Sequence, residues 1–145
     1  MAEEAVTGLR RSYPHSTAVE KYYVPNLRAA VALSAKRPDA ALELLAGAED
    51  YDQLSLTPYL MGLAHMAERQ ALLAAVDFET VLGHRGSAFA MGGTVYPMAE
   101  IGLARASSVA GDKAKSAAAS QRLAVLWAGA DRGQPLLHGA TTKRP

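Results

Sequence analysis

Four histidines, His15, His65, His84 and His138, are the side chains of this chain best suited to hold a metal or move a proton near neutral pH. None lies at the H-x-x-x-H or H-E-x-x-H spacing that puts two imidazoles on one helix face, so no metal site is expected. Glu49, Asp50 and Asp52 cluster, but without the spaced ligands and central glycine of a calcium loop they read as solvated charge. Ser107 and Ser108 fall on an expected helix with no nucleophile-elbow turn, and no Ser-His-Asp grouping can be assembled. His84-Arg85-Gly86 starts like the H-R-D of a kinase catalytic loop, yet glycine stands where the catalytic aspartate would be. Neither a phosphate-covering G-x-G-x-x-G, a V-A-I-K lysine nor a D-F-G is present. The expectation is a chain with no catalytic residue, no cofactor and no metal, and hence not an enzyme.

The bulk properties point the same way. The chain has 145 residues, room for one domain or about four 34-residue units. Alanine supplies roughly a fifth of them, well above ordinary usage, and favours closely stacked helices. Fifteen Lys and Arg against fourteen Asp and Glu leave a net charge of +1, without the clustered basic excess of a nucleic-acid surface. There is no cysteine, which excludes disulfide frameworks and Cys-based zinc sites. The start, Met1-Ala2-Glu3-Glu4, is acidic and unlike a signal peptide, and no apolar run nears the roughly 20 residues that span a bilayer. A cytoplasmic location, without nucleic acid or membrane as partners, is expected.

Helix signals recur along the chain. A first helix is expected over Glu3 to Arg11, ending before Pro14. Thr17 and Glu20 form a T-x-x-E capping box, and Pro25 predicts a kink near Val24 before the helix resumes through Leu33. Pro38-Asp39 starts a helix running to about Gly47, and Thr57-Pro58 starts another carrying Leu60, Leu63 and Ala64. A partner helix over about 71–83 places Ala74, Ala75, Phe78, Val81 and Leu82 on one face. Gly83, Gly86, Gly92 and Gly93 predict a helix-free loop from Gly83 to Pro97, its apolar residues Phe89, Met91 and Val95 either an adaptable contact or, the favoured reading, folded back over the core. Tyr96-Pro97 then opens a helix to about Ala110, and Gly111-Asp112 turns and caps a last long helix. Phe78, Leu82, Leu123 and Trp127 are assigned to the core. Gly129, Gly133 and Pro135 end that helix ahead of a polar tail, residues 141–145, expected to fray.

Two echoes tie these elements into repeats. Ala40 and Leu44 recur as Ala74 and Phe78, about 34 residues on, and Gly62-Leu63-Ala64 recurs as Gly102-Leu103-Ala104, one period plus a short insertion. The layout resembles tetratricopeptide (TPR) repeats, with Ala64 and Ala104 at the small first-helix position and Ala74 and Phe78 at second-helix positions. Leu44 stands where an aromatic is common, and Ser116 and Ser120 take the second-helix positions of the third repeat. A more specific likeness is carried by four segments in order. They are Tyr22-Tyr23-Val24-Pro25-Asn26-Leu27-Arg28, Phe78 through Gly86, Gly102 to Ala106 with Gly111-Asp112-Lys113-Ala114-Lys115, and Leu126-Trp127-Ala128-Gly129-Ala130-Asp131. Over about residues 5–138 they are similar to the C-terminal TPR region of acidobacterial proteins. Those proteins carry a eukaryotic-like serine/threonine kinase or a winged-helix domain ahead of the repeats.

The resemblance implies an all-α, TPR-like right-handed superhelix over residues 1–140, with helical pairs at about 17–47, 57–84 and 96–129 and one leading helix. It implies a non-catalytic protein–protein interaction scaffold within a bacterial signalling protein. The alternative is the regulatory segment of a serine/threonine kinase whose catalytic domain lies upstream. In the TPR arrangement the first helices line a groove for a protein or peptide partner. Tyr22, Tyr23, Tyr59, Met66, Arg69 and Arg105 are its candidate lining, tyrosine and arginine being common interface anchors. For the tyrosines the alternative is packing between neighbouring helices with the hydroxyl at the rim. Self-association through an uncapped terminal repeat stays open beside these.

Overall fold

The chain passes from one helix to the next through the same turn three times. The computed structural model describes residues 2–48, 54–90 and 93–128. All regular structure within them is helical: α1 (Ala2–Ser12), a π turn (Val19–Tyr23) leading into α2 (Val24–Ser34), α3 (Pro38–Ala46), α4 (Leu56–Ala67), α5 (Ala71–Gly83), α6 (Arg85–Ala90), α7 (Val95–Val109) and α8 (Lys113–Leu126). Glu49, Asp50, Asp52, Met91, the side chain of Phe89 and everything from Gly129 onward lie outside the described residues.

The repeated turn joins α2 to α3, α4 to α5 and α7 to α8. At each one a residue takes left-handed backbone geometry: Lys36 (φ 57), Arg69 (φ 61) and Gly111 (φ 84). The next amide reaches back five residues, Arg37 to Ala32 O, Gln70 to His65 O and Asp112 to Ser107 O. The left-handed residue's own amide bonds Leu33, Met66 or Ser108, completing a Schellman motif that satisfies the last carbonyls of the incoming helix. Successive turns lie 33 residues apart (36 to 69) and then 42 (69 to 111).

These turns place the repeat one residue away from the sequence echo. Counted from the start of α3 and α5, the fourth and eighth residues are Ala41 and Leu45, then Ala74 and Phe78. All four are fully buried, whereas Ala40 and Leu44 are half-buried. The echo at 34 matched residue types on adjacent faces; the turn geometry sets the period at 33. The Gly62/Gly102 echo, at 40, likewise differs from the 42 residues between turns, so those glycines are not equivalent positions.

Their shared role is contact with one ring. Phe78 reaches from α5 between α4 and α7; a Cβ on Gly62 would stand 2.7 Å from its ring, and one on Gly102 would stand 2.5 Å away. Around it Ala74, Val81, Tyr96, Ala99, Leu103 and Ala106 close a core shared by α5 and α7. A second core joins the preceding elements through Ala29, Ala32, Ala41, Leu45, Leu60 and Ala64. Each helix of the array packs on the next, α6 aside, and the leading helices also touch, α2 with α4 and α4 with α7. Within α8 Leu123 is buried, but Trp127 at its end is only half-buried, as is Leu82 on α5.

Local differences from expectation have local causes. Ser16 Oγ, not Thr17, accepts from an amide of the first turn (Val19 N, 3.3 Å), and Glu20 is held by Arg10 instead of closing a capping box. Pro25 lacks an N–H, and the helix accommodates it with a π turn, the Val24 amide donating to Val19 O. The Asn26 side chain donates to the Tyr22 carbonyl at 2.8 Å and to Thr57 Oγ1 at 2.9 Å. Thr57 is thereby used between helices, and α4 starts two residues earlier, behind Ser55. The expected helix-free stretch after Gly83 contains α6, anchored by Ser87, whose hydroxyl donates to His84 O and meets Ser55 Oγ. Asp112 does cap α8, accepting from Lys115 N at 2.9 Å. Val6 of α1 packs with Val19 and Val24, and exposed pairs from Arg28 to Glu3 and Arg10 to Glu20 orient that helix.

Gly62→Ala and Gly102→Ala should each destabilise the fold by about 1–3 kcal/mol, because the added methyl overlaps a packed ring. Phe78→Ala should cost on the order of 3–5 kcal/mol. Denaturant titrations of the three variants check this. A Gly102→Ala curve superimposable on wild type would contradict the ring contact, and Phe78→Leu combined with Gly102→Ala should recover part of the loss.

Candidate functional site

The six residues expected along one groove fall in different places. Tyr22 takes the packing alternative: it is buried, and its hydroxyl donates to Leu54 O at 2.8 Å. Burial first, and the neighbouring Tyr23 second, push its hydroxyl up to about 12. With its ring enclosed, Tyr22 presents no surface to a partner. Tyr23 is half exposed, meets Tyr22 edge to face at 5.0 Å, and lines a small cleft with Leu9, Tyr13, Ser16 and Val19 beside α1. Arg69 is the left-handed residue of the second turn, so its position serves the α4–α5 reversal and not a helix face. No sequence signal marks it, since glycine is the usual occupant of that geometry.

The remaining three come together. Met66 and Arg105 line an open cleft of about 400 Å³ formed by α4, α7 and α8, together with Ile101, Ala104, Ser108 and Leu123. Tyr59 lies on the same leading helix as Met66, half-buried with its ring 6.1 Å from that of Phe78. Burial raises the Tyr59 hydroxyl above its ordinary value, and the positive charge of Arg105 pulls it back in part. Arg105 is exposed and has no carboxylate partner among the described residues. The floor of the cleft is polar at α8: Ser116 Oγ donates to Ala104 O at 2.8 Å, and Ser120 Oγ to Ser116 O at 2.9 Å. An apolar wall, a serine floor and one free cation suit the binding of a peptide or helix.

Two side-chain pairs between helices escape sequence reasoning. Glu100 is fully buried on α7 and accepts both nitrogens of the Arg122 fork, at 2.7 and 3.0 Å. The guanidinium is held above its ordinary value chiefly by that bond. A signal was available: Glu100 interrupts the apolar stripe of Tyr96, Ala99, Leu103 and Ala106, where a carboxylate needs a partner. Arg85 adds a cation over the Tyr96 ring at 5.3 Å, tying α6 to α7. His65 Nδ1 and Asp77 Oδ2 meet at 2.6 Å across the α4–α5 turn, both side chains largely enclosed. Burial raises the Asp77 carboxyl above its ordinary 3.8, outweighing the opposing pull of His65. Both pairs join helices to one another.

Among the described residues no group of three His, Cys, Asp or Glu side chains converges on a point, and no helix is long and apolar enough to cross a membrane. No protein-family model, curated protein or solved structure matches the chain.

Arg122→Ala should lower stability by about 2–3 kcal/mol, less than the roughly 3–5 of a fully buried pair because the arginine is half exposed. Glu100→Gln combined with Arg122→Met should restore much of it, as read by thermal melts. Because the folded Asp77 carboxyl sits above 3.8, its stabilising contribution is complete below that pH and is lost as pH rises through the raised value. Wild type should therefore lose stability relative to Asp77→Asn as pH is raised from about 4, a trend that parallel denaturant titrations would show.

Proposed function

We propose that this chain is a TPR-type interaction module that binds a protein or peptide partner and performs no chemistry itself. The observation that carries this reading is the recurrence of one unit. Three helix pairs close with the same Schellman turn, at residues 36, 69 and 111, and the leading helix of each later pair packs on the pair before it. Such an array offers extended surface in place of a single enclosed pocket, and contacts spread along it are what repeat proteins use for recognition. The cleft holding Met66 and Arg105, with Tyr59 on the same leading helix, is the binding surface in this reading.

The full chain, immobilised and exposed to lysate of the native organism, should retain a small set of proteins. Arg105→Glu should lose them and Tyr23→Ala, in the separate cleft beside α1, should keep them, as read by quantitative mass spectrometry. Equal recovery by wild type and Arg105→Glu would discard this surface, and no specific recovery by any bait would discard the module.

A further inference from the structure

The repeat geometry says what surface the cleft is. Measured from each left-handed turn residue, six positions recur in each unit. In the first they are Asn26, Ala29 and Leu33 with Ala41, Leu45 and Ala48; in the second, Tyr59, Gly62 and Met66 with Ala74, Phe78 and Val81. The first set is covered by α4, through the Asn26–Thr57 bond and the core that Ala29, Ala41 and Leu45 share with Leu60 and Ala64. The second is covered by α7, through Phe78 against Gly102 and the core shared with Ala99 and Leu103. The third set is Ile101, Ala104 and Ser108 with Ser116, Ser120 and Leu123, and all six line the open cleft. Among the described residues no helix covers this third face.

The covering helices also state the rule for what fits. At the first junction Leu45, eighth residue of its helix, shares a core with Leu60 of the arriving helix. At the second the eighth residue is the much larger Phe78, and the arriving helix carries Gly102 at the position equivalent to Leu60. Bulk on one side is matched by its absence on the other, as close packing requires. At the third the eighth residue is Ser120, the smallest of the three, so the arriving helix must bring the large side chain.

The geometry points to an amphipathic helix of a partner protein as the occupant of this cleft, docking as a fourth leading helix would. It places a bulky apolar side chain over Ser120 and brings net negative charge to Arg105. Residues 129–145 carry Gly129, Gly133, Pro135 and Gly139, which disfavour a long helix, and they enter the test below as the competing occupant. The acidic character follows from Arg105, the exposed cation in the lining without a carboxylate partner among the described residues. The inference rests on the interaction-module reading and specifies its partner; a partner held at another surface would leave that reading standing and remove this one.

A synthetic peptide of residues 55–70 is a suitable probe, because α4 occupies the equivalent position in the first unit and presents Leu60 there. Fluorescence anisotropy with the full chain should show the Leu60→Ala peptide binding roughly tenfold more weakly than the parent, the effect of losing a buried large side chain. In a Ser120→Phe chain, checked for folding by circular dichroism, the preference should vanish or invert. An Arg69→Glu peptide should bind several-fold tighter than the parent at low salt, and that gain should disappear in an Arg105→Ala chain. Equal affinity of the parent and Leu60→Ala peptides, or no binding of either, overturns the proposal. So does a Leu136→Asp, Leu137→Asp chain that binds the peptides much more tightly, since the chain's own tail would then be the occupant. A dimer by light scattering that Ser120→Phe dissociates would name a second copy instead.

Discussion

The packing of Phe78 between two glycines is the constraint on which the middle of this molecule depends. The ring leaves α5 and lies against α4 at Gly62 and α7 at Gly102, with less room on either side than one methyl group needs. One side chain thereby sets the separation of three helices. Its burial removes a large apolar surface from water, and the absence of Cβ atoms lets two backbones come close enough to use all of that surface. Glycine in a helix interior costs about 1 kcal/mol relative to alanine, so its occurrence at both positions is explained by this contact and not by helix formation.

The same contact shows how the array varies without losing its geometry. The Schellman turns hold the register of each pair, and the residues at the junctions exchange volume: leucine with leucine, then phenylalanine with glycine. In a close-packed interior, added bulk on one helix calls for its absence on the facing one. Polar groups follow the same logic. Glu100 is tolerated in the interior because Arg122 forks onto it, and the Asn26 amide serves both the Tyr22 carbonyl one turn back and the Thr57 hydroxyl of the next leading helix. The Glu100 carboxylate and the Asn26 amide nitrogen are thus joints between elements.

The candidate site was legible only in part. Met66, Arg105 and Tyr59 could be nominated from residue type and helix position, and the fold puts them on neighbouring elements. Tyr22 and Tyr23 are adjacent in sequence and looked alike, yet one is enclosed and the other half exposed, because consecutive helical residues point about 100° apart and a π turn resets that angle. Arg69, expected along the groove from its residue type, sits at the α4–α5 turn. Its left-handed geometry follows from how two helices meet, which a single sequence does not encode when the residue is not glycine. The six residues of α6 formed where four glycines argued against a helix, since Ser87 and Arg85 have partners in Ser55 and Tyr96 that are distant in the chain.

Local physics was sufficient for the all-helical class and for most of its helices, though not for α6. Those follow from alanine content, proline and glycine positions, and apolar periodicity, all of which act within a few residues. The period itself, 33 residues and then 42, and the pairing of Glu100 with Arg122 or His65 with Asp77 required the folded chain. Matching letters align residue types, whereas the unit is defined by where backbones reverse and which faces meet. Those are properties of contacts between residues far apart in sequence, and so is the cleft at Ser120, whose meaning depends on what Phe78 does one unit earlier.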